Sequence, residues 1–130
     1  MRRSMVAHAA LALVLAATGC VSAGASRAAK RDRYLITSDE IVRSNASNAM
    51  EAVERLRPAF LTTRGPTSIQ DPSPPTPIIY LDGIRYGSTR SLATIPALGI
   101  ATIQYLPPIE AGMRYGLGHE GGAILVVTKH

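Results

Sequence analysis

The sequence predicts an α+β fold, a small mixed β-sheet with short helices, and three stretches carry that prediction. Pro77 to Gly87 sets two runs of β-formers on either side of Asp82-Gly83, the dipeptide that most readily supplies the positive φ angles of a tight hairpin turn. Ile100 to Leu106 is a strand with Ala101, Ile103 and Tyr105 on one face and Thr102, Gln104 and Leu106 on the other, as expected of a half-buried strand. Pro107-Pro108 then stops the ladder and opens a short helix over Ile109 to Tyr115, with Pro108 in the first turn and Glu110 near the positive end. Finally, Gly116, Gly118, Gly121 and Gly122 free the backbone to turn back, and Ala123 to Thr128 is an apolar run of strand length. These readings make Asp82, Gly83, Gly116 and Gly122 structural turn residues.

The elements upstream follow from local signals. Tyr34-Leu35-Ile36 is a short strand, and Thr37-Ser38-Asp39-Glu40 fits a capping box that opens a short helix or turn. Asn45 or Ser47 caps a second helix, in which Ala46, Ala49, Met50, Val53 and Leu56 form one apolar stripe. Arg57-Pro58 ends it, because proline disfavours helical geometry in the residue before it. Phe60 to Thr63 is a candidate strand, and Arg64 to Thr76, with Gly65, Pro66, Pro72, Pro74 and Pro75, is a loop. Between Ser88 and Gly99, Leu92, Ile95 and Leu98 predict a short apolar turn or helix broken at Pro96.

The chain begins differently. Arg2 and Arg3 precede a short apolar run, Ala9 to Ala17, that ends in Ala17-Thr18-Gly19-Cys20. This reads as a secretory signal, too short to span a bilayer of about 30 Å, and its end resembles the bacterial lipobox, which implies lipidation of Cys20. The competing reading is a chance cysteine in a signal cleaved elsewhere. Residues 1–19 are then a lipoprotein signal peptide, residues 20–33 the lipidated cysteine with a flexible tether, and residues 34–130 an α+β domain. Val21 after the cysteine implies, by the sorting rules of well-studied Gram-negative bacteria, the outer membrane, with the domain facing the periplasm.

Composition excludes several classes. Cys20 is the only cysteine, so no intramolecular disulfide forms. Without Arg2 and Arg3 the formal charge of +5 falls to +3, and Arg27, Lys30, Arg31 and Arg33 cluster just after the proposed anchor. There they either favour an anionic membrane surface or only keep a solvated linker extended. The rest of the domain is near balance and has no tryptophan and one phenylalanine, which gives nucleic-acid binding no footing. Outer-membrane barrels need roughly 8 or more strands of about 10 residues, so 130 residues are expected to hold one stand-alone domain and no barrel.

The order of residues resembles the plug domain of TonB-dependent outer-membrane receptors. The matching pattern is a Pro-led apolar strand ending in Asp-Gly (Pro77 to Gly83), an Ile-x-x-Ile strand (Ile100 to Ile103), a helix ending in Tyr115-Gly116, and a Gly-led apolar strand ending in Thr-Lys (Gly122 to Lys129). Ile36 to Ile41 and the helix around Asn48 to Leu56 resemble the start of such a domain. The chain departs from the pattern at Pro107-Pro108, where plugs carry a basic residue and a glycine. The resemblance implies a plug-like fold and a partner in the envelope, either a separately encoded outer-membrane barrel or another envelope protein.

Other constellations carry less. Gly116 to Gly121 spells G-x-G-x-x-G, but it follows a helix and opens a strand, the reverse of a dinucleotide site. His119 and Glu120 have no metal-ligand spacing with the remaining residues and read as an exposed polar loop tip; no serine sits in a nucleophile motif. No cofactor and no metal is expected. Two classes remain: a non-catalytic, membrane-anchored binding module presenting Arg64, Gln70, Asp71, His119 and Glu120 on its loops, and a small periplasmic enzyme that uses Asp82, His119 and Glu120 in one cleft.

Overall fold

The structure, a computed structural model, describes residues 32–62 and 74–130. The segments expected to be signal peptide and most of the tether, with Cys20, and also Thr63 and the loop residues Arg64, Gln70 and Asp71, lie outside the described residues.

Five strands form one mixed sheet in the order β1-β4-β5-β2-β3: β1 (Leu35–Thr37), β2 (Ile78–Leu81), β3 (Ile84–Ser88), β4 (Ile100–Leu106) and β5 (Ala123–Thr128). The α+β class and the mixed sheet are as the sequence predicts. β5 is central, parallel to β2 and antiparallel to β4, and its apolar run explains why. A strand covered on both faces must be apolar at consecutive positions, and Ala123, Ile124 and Val126 are all buried. At one edge β2 and β3 make the expected hairpin, with Asp82 at φ 49° and Gly83 at φ 83°, the paired positive values of a two-residue hairpin turn.

Helices α1 (Ser38–Ser44) and α2 (Ala49–Leu56) cover one face, together with 3₁₀ turns at Pro58–Phe60, Thr89–Thr94 and Ala97–Gly99. Beneath them Ile36, Val53, Ile79, Leu92, Ile103 and Ile124 are fully buried. Helix α3 (Pro108–Tyr115) covers part of the other face, where Ala111 packs with Tyr80, Leu106 and Ala123. Its start at Pro108 suits a residue with fixed φ and no N–H to leave unpaired.

The capping box is present: the Thr37 hydroxyl accepts from the Glu40 amide (3.5 Å), and the Glu40 carboxylate accepts from the Thr37 amide (3.2 Å). The cap of α2 is Asn48, whose side chain accepts from the Glu51 amide at 3.0 Å, and not Asn45 or Ser47. Asn45 instead ends α1 in the left-handed region at φ 52°, a geometry asparagine tolerates better than most residues. Phe60 lies in a 3₁₀ turn and not in a strand, because Pro58 opens the turn and the ring then drops into the core, 3% exposed. In the connection to β4, Leu92 and Ile95 are buried as expected, but Leu98 is 81% exposed and Ala97 takes the inward position after the bend at Pro96. A register shift between Ile100 and Thr102 turns Ile100, in place of Ala101, fully into the core.

Candidate functional site

Asp82, at φ 49° between β2 and β3, also reaches across to the end of β5. Its carboxylate accepts from the Thr128 amide (2.8 Å) and the Thr128 hydroxyl (2.7 Å), clamping the hairpin tip to the end of β5. The Thr128 amide, then its hydroxyl, hold the carboxyl below the usual aspartate range, because both bonds favour the charged form. A depressed folded-state value contributes stability above the unfolded value near 3.8, and this is lost as pH falls through the folded value. The gap in urea midpoint between the native chain and Asp82→Asn is therefore expected to be full at neutral pH and to close on acidification below about pH 4. An equal gap at pH 7 and pH 2 would show that the clamp does not depend on the charge.

His119 is buried, 6% exposed, which corrects the expectation of an exposed loop tip. Its Nδ1 lies 2.8 Å from the Gly116 carbonyl oxygen, which can only accept, so Nδ1 carries a proton; in the neutral ring Nε2 then accepts from the Tyr80 hydroxyl at 2.9 Å. The ring lies alongside Tyr80 and Tyr115, which stack on each other with centroids 4.0 Å apart. Gly116 and Gly118, both at φ 88°, let the chain fold the imidazole inward while Glu120 stays exposed. Tyr80→Phe is expected to cost about 1–2 kcal/mol, since Nε2 loses its donor. A thermal midpoint that does not move would mean that solvent replaces the hydroxyl.

Asp82 and His119 are not brought together. Asp82 is tied to the end of β5, whereas His119 precedes its start and is occupied by Tyr80 and Gly116. Among the described residues no three His, Cys, Asp or Glu side chains converge as a metal site.

What does converge is the ends of the two loops that the sequence marks as the interaction surface. Pro75-Thr76 packs directly on Gly121: a Cβ there would lie 2.5 Å from the Thr76 carbonyl oxygen and 2.8 Å from that of Pro75. At this meeting point opens a cavity of about 780 Å³, lined by Tyr34, Phe60 and Tyr105, by Pro75, Pro107 and Pro108, and by Thr62, Arg57 and Glu120. Phe60 stacks on Tyr105 (5.3 Å), Tyr34 tilts against it (6.2 Å), and the Tyr105 hydroxyl donates to the Gly121 carbonyl at 3.3 Å. Arg57 is fixed by the Glu40 carboxylate (3.2 Å) and the Leu56 carbonyl (2.9 Å), while the Arg33 guanidinium lies over the Tyr34 ring. An apolar, aromatic hollow with a few placed charges is the general form of a binding site.

Sequence reasoning missed this cavity. The one available signal was the scarcity of aromatics: of five tyrosines and one phenylalanine, three line it.

No family model matches the chain, and no curated protein does. Among solved structures it is similar to the crystal structure of the siderophore receptor PirA from Pseudomonas aeruginosa, with 23% identity and a TM-score of 0.48 over 74% of this chain and 18% of that one. The chain thus spans less than a fifth of that receptor's length.

Proposed function

We propose that this chain is a non-catalytic envelope lipoprotein, anchored in the outer membrane through Cys20, whose plug-like domain faces the periplasm and binds a separate outer-membrane transporter or another envelope protein. The observation that carries the reading is the meeting of Pro75-Thr76 with Gly121 over an aromatic cavity: the described ends of two loops, next to strands of one sheet, border a concave apolar surface, the arrangement expected of a recognition site. Its walls suit an apolar or aromatic group of the partner, with Glu120 and Arg33 at hand to orient polar groups beside it.

The test is photocrosslinking in native envelopes. A photoreactive residue at Thr62 or Glu120 is expected to capture a discrete partner, and one at Arg85, on the exposed β3 edge, is not. Tyr34→Ala, which removes a partly exposed ring, is expected to reduce the crosslink by about tenfold, the loss of roughly 1.4 kcal/mol that one aromatic contact contributes. Absence of any product from the cavity positions would defeat the binding reading. Fatty-acid labelling that persists in Cys20→Ala would defeat the anchor separately.

A further inference from the structure

Helix α3 is apolar on both sides. Ala111 and Tyr115 face the sheet, and the opposite side carries Ile109 (78% exposed) and Met113 (77%), continued by Leu117, which is fully exposed. At 100° per residue Ile109, Met113 and Gly116 fall on one stripe, and a Cβ at Gly112 or Gly116 would meet nothing within 4 Å. Three large, highly exposed apolar side chains on and just beyond one short helix of a small domain call for a covering surface.

The start of the described chain indicates which one. Asp32 leads into Arg33 and Tyr34, which line the same cavity as Pro108 and Glu120. Pro108 and Glu120 also border the shallow hollow formed with Ile109 and Leu117. The apolar stripe therefore lies at the end of the domain where the chain arrives from Cys20. That connection reaches at most about 43 Å when fully extended, and it carries Arg27, Lys30 and Arg31 ahead of Arg33, charges that favour an anionic bilayer. No helix among the described residues is long and apolar enough to cross a membrane, so α3 would lie on the surface and not span it.

We infer that the Ile109–Met113 face of α3, with Leu117 just past its end, is a membrane-docking surface, which seats the domain against the anionic lipid bilayer that holds its anchor. This deepens the lipoprotein reading and rests on it for location, but the face itself does not need the acyl chains. Its apolar side chains enter the interface while the basic segment meets the headgroups, the two-part attachment expected of a surface-bound helix.

Residues 31–130 form a compact unit of their own, so the test uses the chain from residue 20 onward with Cys20→Ser, which removes lipidation. It is floated with phosphatidylcholine vesicles with and without phosphatidylglycerol. The chain is expected to float with the anionic vesicles. Ile109→Ser/Met113→Ser/Leu117→Ser, at exposed positions and with an unchanged melting curve, is expected to bind at least about tenfold more weakly, since most of the buried apolar area is gone. Replacing Arg27, Lys30, Arg31 and Arg33 by glutamine is expected to weaken binding to the anionic vesicles alone. Equal flotation of native and triple-serine chains would overturn the inference, as would flotation of neither. So would a native dimer, seen by sedimentation, that the triple variant dissolves, because a second copy would then be what covers the stripe. Fatty-acid labelling of the intact protein reads the anchor independently: labelled Cys20 with no vesicle affinity leaves the proposed function standing and removes only this surface.

Discussion

Gly122→Ala is expected to destabilise the domain by about 2–5 kcal/mol and Gly83→Ala by only about 1–2 kcal/mol, although both glycines have the same φ of 83°. The shared angle sets a shared cost of left-handed geometry. What differs is space. A Cβ at Gly83 meets nothing within 4 Å, whereas one at Gly122 would lie 2.5 Å from the Leu106 carbonyl oxygen and 2.8 Å from the Tyr105 hydroxyl. Leu106 ends β4 and cannot retreat without breaking its pairing with Ala123, and Tyr105 is held by its bond to Gly121 and its contact with Phe60. The excess at Gly122 is thus a steric cost of overpacking added to the backbone cost. Urea titrations of the two variants measure it directly, and equal losses would show that the wall behind Gly122 yields.

The elements that the sequence revealed are those whose signals are local. Asp82-Gly83 supplies both positive φ values of its own turn, and Thr37 and Glu40 complete a capping box within one helical turn. The apolar run from Ala123 marks a strand covered on both faces before its neighbours are known. Where local signals competed, tertiary context decided. Asn45, Ser47 and Asn48 can all cap a helix; the chain uses Asn45 to end α1 and Asn48 to begin α2, because Asn48 is also fixed by a bridge to Pro96. Phe60 has the propensity of a strand residue, but Pro58 two positions earlier sets a 3₁₀ turn.

The site was less legible for the same reason. A histidine in a glycine-rich stretch reads as exposed, and its burial depends on Tyr80, which is remote in sequence and lies on β2. The loops ending at Pro75-Thr76 and at Gly121 were visible as loops, yet nothing short of the β2–β5 pairing, which sets Ile78 beside Ala123, brings them against each other. Sequence marks the segments free to bind; the parallel pairing decides which of them share a surface.

Arg57→Met is expected to cost about 2–4 kcal/mol, and adding Glu40→Gln to recover about 1–2 kcal/mol of it. The two side chains are only 16% and 10% exposed. The Arg57 guanidinium donates to the Glu40 carboxylate at 3.2 Å and to the Leu56 carbonyl at 2.9 Å, with longer contacts of 3.5 Å to the carbonyls of Asp32 and Leu35. It therefore joins the end of α2 to β1 and to the first turn of α1. Methionine keeps much of the aliphatic stem but takes from the Glu40 carboxylate the guanidinium 3.2 Å away, and removing one partner of a largely buried pair is the costly way to break it. Glutamine at position 40 removes that charge while its side-chain oxygen still accepts from the Thr37 amide, as Glu40 does at 3.2 Å. Glu40→Gln alone leaves the cation without its anion and is expected to cost more than the same change made in the Arg57→Met background. Because Arg57 also lines the cavity, the double variant separates folding from binding: stability returns in part, while the charge at the cavity wall stays removed. Urea midpoints of the four proteins close the cycle, and simple additivity would show that the pair is solvated enough for each side chain to act alone.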